Sequence, residues 1–127
     1  IKIDELERKK NQEEELRKKK EDLLIDRMKL RGGFPILKVT GTQSEKQFEI
    51  NNPLITFGRD KSSNKVCIDN KNISRNHFSI LFDGEDYKII DNNSTNGIIL
   101  NGIKVKESVI KQGDIITIAD LNFTFYD

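Results

Sequence analysis

The sequence predicts an all-β unit, an antiparallel β-sandwich, preceded by one charged α-helix. Three observations carry that expectation. All seven Phe, both Tyr, all eight Gly and both Pro lie at or beyond position 32, so residues 1–31 hold no turn former and no aromatic ring. From Ile36 onward the apolar residues fall in short β-type runs separated by turn signals. No second helical stretch follows, and a chain of many short strands with no helix to cover them closes its core by packing sheet on sheet. At 127 residues the chain has room for one domain of ordinary size plus an appendage. Residues 1–31 are read as the helical appendage and residues 32–127 as the domain.

The helix is expected over residues 4–31. Glu5/Lys9, Glu13/Arg17, Glu14/Lys18 and Glu15/Lys19 set opposite charges four apart in the favourable order. Leu16, Leu23 and Leu30 recur every seven residues, but Lys9, Lys20 and Arg27 interrupt a second apolar row. Two readings stay open: a coiled coil that pairs with a second copy or another partner, and a solvated spacer whose Leu23, Leu24, Ile25 and Met28 pack locally. Arg31-Gly32-Gly33-Phe34-Pro35 ends the helix, with glycines suited to a left-handed cap and a proline that cannot continue the turn.

About ten strands follow, at Ile36–Val39, Phe48–Ile50, Leu54–Phe57, Lys65–Ile68, Phe78–Phe82, Tyr87–Ile90, Ile98–Leu100, around Val105, Asp114–Ile118 and Asn122–Tyr126. Asp83-Gly84, Asn96-Gly97, Asn101-Gly102 and Gln112-Gly113-Asp114 supply the turns between them. Cys67, inside Val66-Cys67-Ile68, is expected as a small buried hydrophobe. Function in such a sandwich is expected in its loops.

Charge narrows the function. Residues 1–31 hold 11 basic and 9 acidic residues of the chain's 22 and 21, which leaves 11 and 12 for the rest. Neither segment has the basic excess of a nucleic-acid surface or of a polybasic membrane patch. No apolar run approaches the roughly 20 residues a spanning helix needs. A lone cysteine permits no disulfide within one chain, and an intracellular place, nuclear or cytoplasmic, is expected.

Within residues 34–127 there are nine lysines but only two arginines, Arg59 and Arg75, both in loop-like settings. Arg59 follows Phe57-Gly58 at a strand end, and Arg75 sits in Asn72-Ile73-Ser74-Arg75-Asn76-His77 before an apolar strand. A planar guanidinium suits two-point contact with a phosphate or carboxylate, where lysine offers only a point charge. A third stretch, Asp91-Asn92-Asn93-Ser94-Thr95-Asn96-Gly97, is a run of short polar side chains that turn chemistry alone could explain.

Gly58-Arg59, then Ser74-Arg75-Asn76-His77, then Ser94-Thr95-Asn96-Gly97, in that order and spacing, resemble the signature of forkhead-associated (FHA) domains, whose sandwich is also described as SMAD-like. The resemblance spans roughly residues 36–127. It implies a phosphothreonine reader that docks on a phosphorylated partner protein without catalysis or cofactor. In it Arg59 and Ser74 would bind the phosphate, Arg75 would support the phosphate or nearby backbone, and Thr95 and Asn96 would hold the ligand's main chain. Gly58, His77 and Gly97 would support the site structurally. Selectivity for neighbouring ligand residues would come from loops around Asn72 and Ala119-Asp120-Leu121.

A hydrolase built from Ser74, His77 and Asp91 has nothing in its favour beyond proximity. One Cys and one His fall short of a zinc site. The competing function is a phosphate-independent assembly module whose helix drives oligomerisation.

Overall fold

A computed structural model describes residues 2–40 and 46–127, with the side chains of 2–8 excepted. Helix α1 (Lys2–Leu30) is followed by eleven strands: β1 (Ile36–Thr40), β2 (Gln47–Glu49), β3 (Leu54–Gly58), β4 (Val66–Cys67), β5 (Phe78–Phe82), β6 (Tyr87–Asp91), β7 (Ile98–Leu100), β8 (Ile103–Val105), β9 (Glu107–Ile110), β10 (Ile115–Ile118) and β11 (Leu121–Tyr126). One sheet runs β2-β1-β11-β10-β7-β8 and the other β4-β3-β5-β6-β9. The sandwich is as expected, although "all-β" describes only the part after a 29-residue helix. The pairing is antiparallel except between β3 and β4, which run parallel with Phe57 opposite Val66.

Alternation along the strands assigns the faces. In β3 the side chains of Ile55 and Phe57 are buried while Leu54 is half exposed. Register then aligns rings: Phe57 pairs with Phe78 and stacks on it at 4.4 Å, 4° from parallel. Phe78 in turn meets Phe123 of the other sheet edge-on at 6.1 Å. Such contacts add about 0.5–1.5 kcal/mol each beyond the area they bury. Asn101-Gly102, with φ of 49° and 85°, makes the two-residue turn between β7 and β8 that left-handed residues favour.

Two expectations are corrected here. β9 went unread because Glu107 and Ser108 break its apolar pattern; pairing with β6, Tyr87 opposite Ile110, makes it a strand. Cys67 is exposed: β4 is a two-residue edge strand, so alternation buries Ile68 and turns Cys67 outward, its thiol donating to the Arg59 carbonyl at 3.3 Å.

Leu24 and Met28, two of the four helix residues expected to pack locally, do pack on the domain. Met28 is fully buried in the same core as Phe82, Tyr87 and Phe125, and Leu24 packs partly against it. Arg31 donates to the Glu85 carbonyl and holds its guanidinium 5.5 Å from the Phe82 ring and 5.9 Å from the Tyr87 ring. Leu24 and Met28, four apart, share one face, while Leu23, expected to pack locally, is 68% exposed, and Leu16 and Leu30 are 55% and 87% exposed. Among the described residues the ion pair within 4 Å is Lys88–Asp83 at 3.3 Å, so Glu13/Arg17, Glu14/Lys18 and Glu15/Lys19 face one another without closing. Glu5 of the remaining pair lies outside the described side chains.

Candidate functional site

Three loops meet at one end of the sandwich: residues 59–65 after β3, 68–77 before β5, and 92–97 after β6. Their backbones are stitched together. Arg59 N–H donates to the Ser74 carbonyl at 3.0 Å and Asp60 N–H to the Arg75 carbonyl at 3.2 Å. The Asn64 amide caps the same junction, donating to the Asp60 carbonyl at 2.7 Å and the Arg75 carbonyl at 2.6 Å. Gly58 is required by this stitching: a Cβ there would sit 2.0 Å from the Arg75 carbonyl oxygen.

His77 is fully buried and joins the loops through both ring nitrogens. Ser74 N–H donates to Nδ1 at 3.0 Å, and Nε2 lies 2.9 Å from the Gly97 carbonyl. A backbone N–H can only donate, so Nδ1 accepts and Nε2 carries the proton it gives to Gly97. The third loop is braced within itself, with Ser94 bonded to Asp91 and Gly97 N–H donating to Ser94 Oγ at 2.9 Å. Gly97 is buried at φ 73° beneath the Lys104 side chain.

On this frame the polar groups converge. Arg59, Asp60 and Arg75 line one open cavity of about 310 Å³. Arg59 is fixed in direction because its Nε donates to the Ile73 carbonyl at 3.1 Å, which leaves its terminal nitrogens for another acceptor. Ser74 Oγ accepts from Thr95 N–H at 3.0 Å, so its own proton is available to donate. The Asn96 amide reaches back to the Asn72 carbonyl at 2.7 Å and leaves its side-chain oxygen as an acceptor. Asp60 stays ionised beside the two arginines, its carboxyl held below the usual range first by the Ser63 hydroxyl and then by Ser62 N–H. Two forked donors, a hydroxyl donor and a polar rim can hold a multiply charged, oxygen-rich anion against an extended chain.

All eight residues singled out from the sequence fall in this one region. Asp60 and Asn64 were missed: one adds a negative charge to the cavity, the other locks two loops, and neither stands out in the polar run Asp60-Lys61-Ser62-Ser63-Asn64.

Comparison with known proteins agrees. The family model described as "FHA domain" matches residues 55–119, from β3 through β10, and so includes Arg59, Ser74, Arg75, Thr95 and Asn96. GarA, the glycogen accumulation regulator of Mycolicibacterium smegmatis, is 26% identical over 85 residues, 67% of this chain and 53% of GarA. The transcriptional regulatory protein EmbR of Mycobacterium tuberculosis is 36% identical over 63 residues, 49% of this chain and 16% of EmbR. The chain thus spans about half the length of GarA and a small part of EmbR. The FHA domain of CT664 from Chlamydia trachomatis superposes with a TM-score of 0.69 at 22% identity, covering 75% of this chain and 98% of that one. EmbR from M. tuberculosis in complex with a low-affinity phosphopeptide superposes with a TM-score of 0.67 at 26% identity, covering 83% of this chain and 28% of that one. On a family match that spans half the sequence and takes in all three motif loops, the chain belongs to the FHA domain family.

Proposed function

We propose that residues 32–127 act as a phosphothreonine-dependent docking module, in which Arg59 and Ser74 hold the phosphate, Arg75 supports it, and Thr95 and Asn96 hold the ligand backbone. The observation that carries this reading is an aimed Arg59 that lines an open cavity with Arg75 and is tied by its backbone N–H to Ser74, whose hydroxyl accepts from Thr95 N–H and so keeps a proton to give. EmbR, on part of which this chain superposes, was solved with a low-affinity phosphopeptide, which supports the reading. The phosphate carries about −1.5 to −2 charges and three acceptor oxygens, enough to use both guanidinium and hydroxyl. A kinase acting elsewhere would then switch the partner on and off, with no bond made or broken here.

The test is calorimetric titration with a pool of phosphothreonine peptides beside unphosphorylated and phosphoserine versions. Binding is expected to need phosphothreonine and to weaken by roughly 2 kcal/mol or more in Arg59→Ala, the loss of a charge-assisted contact. Equal binding of all three peptide types would defeat the proposal.

A second reading, phosphate-independent assembly through α1, is favoured by the exposed row of Leu16, Leu23 and Leu30. It is compatible with the first, since pairing two modules would raise avidity by about 10²–10⁴ where geometry allows.

A further inference from the structure

Between α1 and the outer face of β3 lies an open groove of about 400 Å³ that shares no lining residue with the cavity of Arg59, Asp60 and Arg75. One wall is helical. Arg17, Lys20, Glu21 and Leu24 line it, and their spacing by three and four puts them on one face of α1. At 1.5 Å of rise per residue that face is about 10 Å long. The other wall is Pro53, Leu54 and Lys65.

Its floor is apolar. Strand alternation buries Ile55 and Phe57 and turns Leu54 outward, where it is 49% exposed beside the buried Pro53. Leu24, packed partly against the core, completes the floor from the helix side. The rim is cationic. Arg17, Lys20 and Lys65 are exposed, and among the described residues the ion pair within 4 Å lies elsewhere, at Lys88–Asp83, so none of the three is ion-paired. Glu13, one helical turn from Arg17, does not close on it either. Glu21 is the single carboxylate of the groove, and it is held: Asn52, its amide oriented to satisfy both neighbours, donates to Glu21 Oε1 at 3.1 Å and accepts from Lys65 Nζ at 3.3 Å. That bridge ties the helix to the domain and fixes the groove's width.

We propose that this groove is a second docking site, which takes an unphosphorylated acidic segment of a partner protein with a leucine-type side chain at its centre. The aliphatic side chain lies on Leu24, Pro53 and Leu54, and carboxylates on either side of it meet Arg17, Lys20 and Lys65. An extended chain advances about 3.3 Å per residue, so a wall of about 10 Å matches roughly three residues. A basic segment would meet like charges, and a wholly apolar one would cover the cationic rim without pairing it. Two of the three cations are lysines, point charges that accept a carboxylate from many directions. The aimed guanidinium and free hydroxyl proton that suit a phosphate belong to the loop end instead.

The experiment uses the whole chain. A display library of random unphosphorylated peptides is panned against it, and each selected peptide is titrated by fluorescence anisotropy. Selected peptides are expected to share Leu, Ile or Met flanked within a few positions by two or more Asp or Glu. Their affinity should fall about tenfold in Arg17→Glu/Lys20→Glu/Lys65→Glu, the combined effect of several exposed charge pairs, and should fall in Leu54→Ser as well. Helix content and melting temperature of the triple variant, followed by circular dichroism, should stay close to those of the parent. Binding should survive Arg59→Ala, so the result stands whether or not the loop end reads phosphate. Selection of no such peptide, equal binding by the triple variant and Leu54→Ser, or loss of binding in Arg59→Ala would overturn the proposal. So would a dimer in sedimentation equilibrium that the triple variant abolishes, which would give the groove to a second copy. Capture by anionic phospholipid vesicles that outcompetes the peptides would give it to a membrane surface and overturn the proposal equally.

Discussion

The loop end of the sandwich and the end where the helix docks are held by different physics. At the loop end His77, Asn64, Ser94 and Gly58 fix the backbone through hydrogen bonds that need particular atoms at particular positions. At the helix end Met28 and Leu24 join the core that holds Phe82 and Tyr87 through contact area, which several side chains of similar volume could supply, and the Arg31 guanidinium lies over those two rings. The first arrangement is intolerant of substitution and sets the direction of functional groups. The second is tolerant in kind but worth as much in stability. The lesson is that binding and stability should separate in mutants of the helix and fail together in mutants of the brace.

The largest effect is expected at His77. Replacing it by alanine leaves the Ser74 N–H and the Gly97 carbonyl without partners and opens a cavity, for a loss of about 3–4 kcal/mol in denaturant unfolding. Phosphopeptide affinity should fall with it, because Ser74 and the 94–97 loop lose their common anchor. A variant that kept full affinity would show that the brace does not position the site.

Met28→Ala should cost about 3 kcal/mol of unfolding free energy, as buried methionine truncations do, yet leave the affinity of the folded protein unchanged. A loss well under 1 kcal/mol would mean that the helix is not part of the core. Leu23→Ala, five residues earlier on the solvent side, should stay within about 0.5 kcal/mol. A larger change, accompanied by a melting temperature that depends on protein concentration, would instead reveal a helix-mediated dimer.

The same contrast explains what the sequence could show. The strands were legible where β-branched and aromatic residues alternate between turn signals, as in Phe78–Phe82, and faint where polar residues pair only through tertiary context, as in Glu107–Ile110. Cys67 misled because an apolar run implies burial on both sides, whereas an edge strand buries alternate residues. The helix's docking face was legible in part: Leu24 and Met28, expected to pack locally, make the contact, whereas Leu23, expected with them, is exposed. At the site, Arg59 and Arg75 stood out as the two arginines of residues 34–127, while Ser74, His77, Thr95 and Asn96 were named through the resemblance that the three motifs carry. Asn64 could not, because an asparagine in a polar loop carries no sign of which carbonyls it will join.

The central claim is that phosphate is read at the loop end. The most direct measurement is the amide spectrum of isotope-labelled protein during titration with one phosphothreonine peptide and its unphosphorylated twin. Shifts confined to Arg59, Ser74, Arg75, Thr95, Asn96 and their neighbours, seen only with phosphate and absent in Arg59→Ala, are predicted. Equal shifts from both peptides, or shifts centred on Leu16, Leu23 and Leu30, would contradict it.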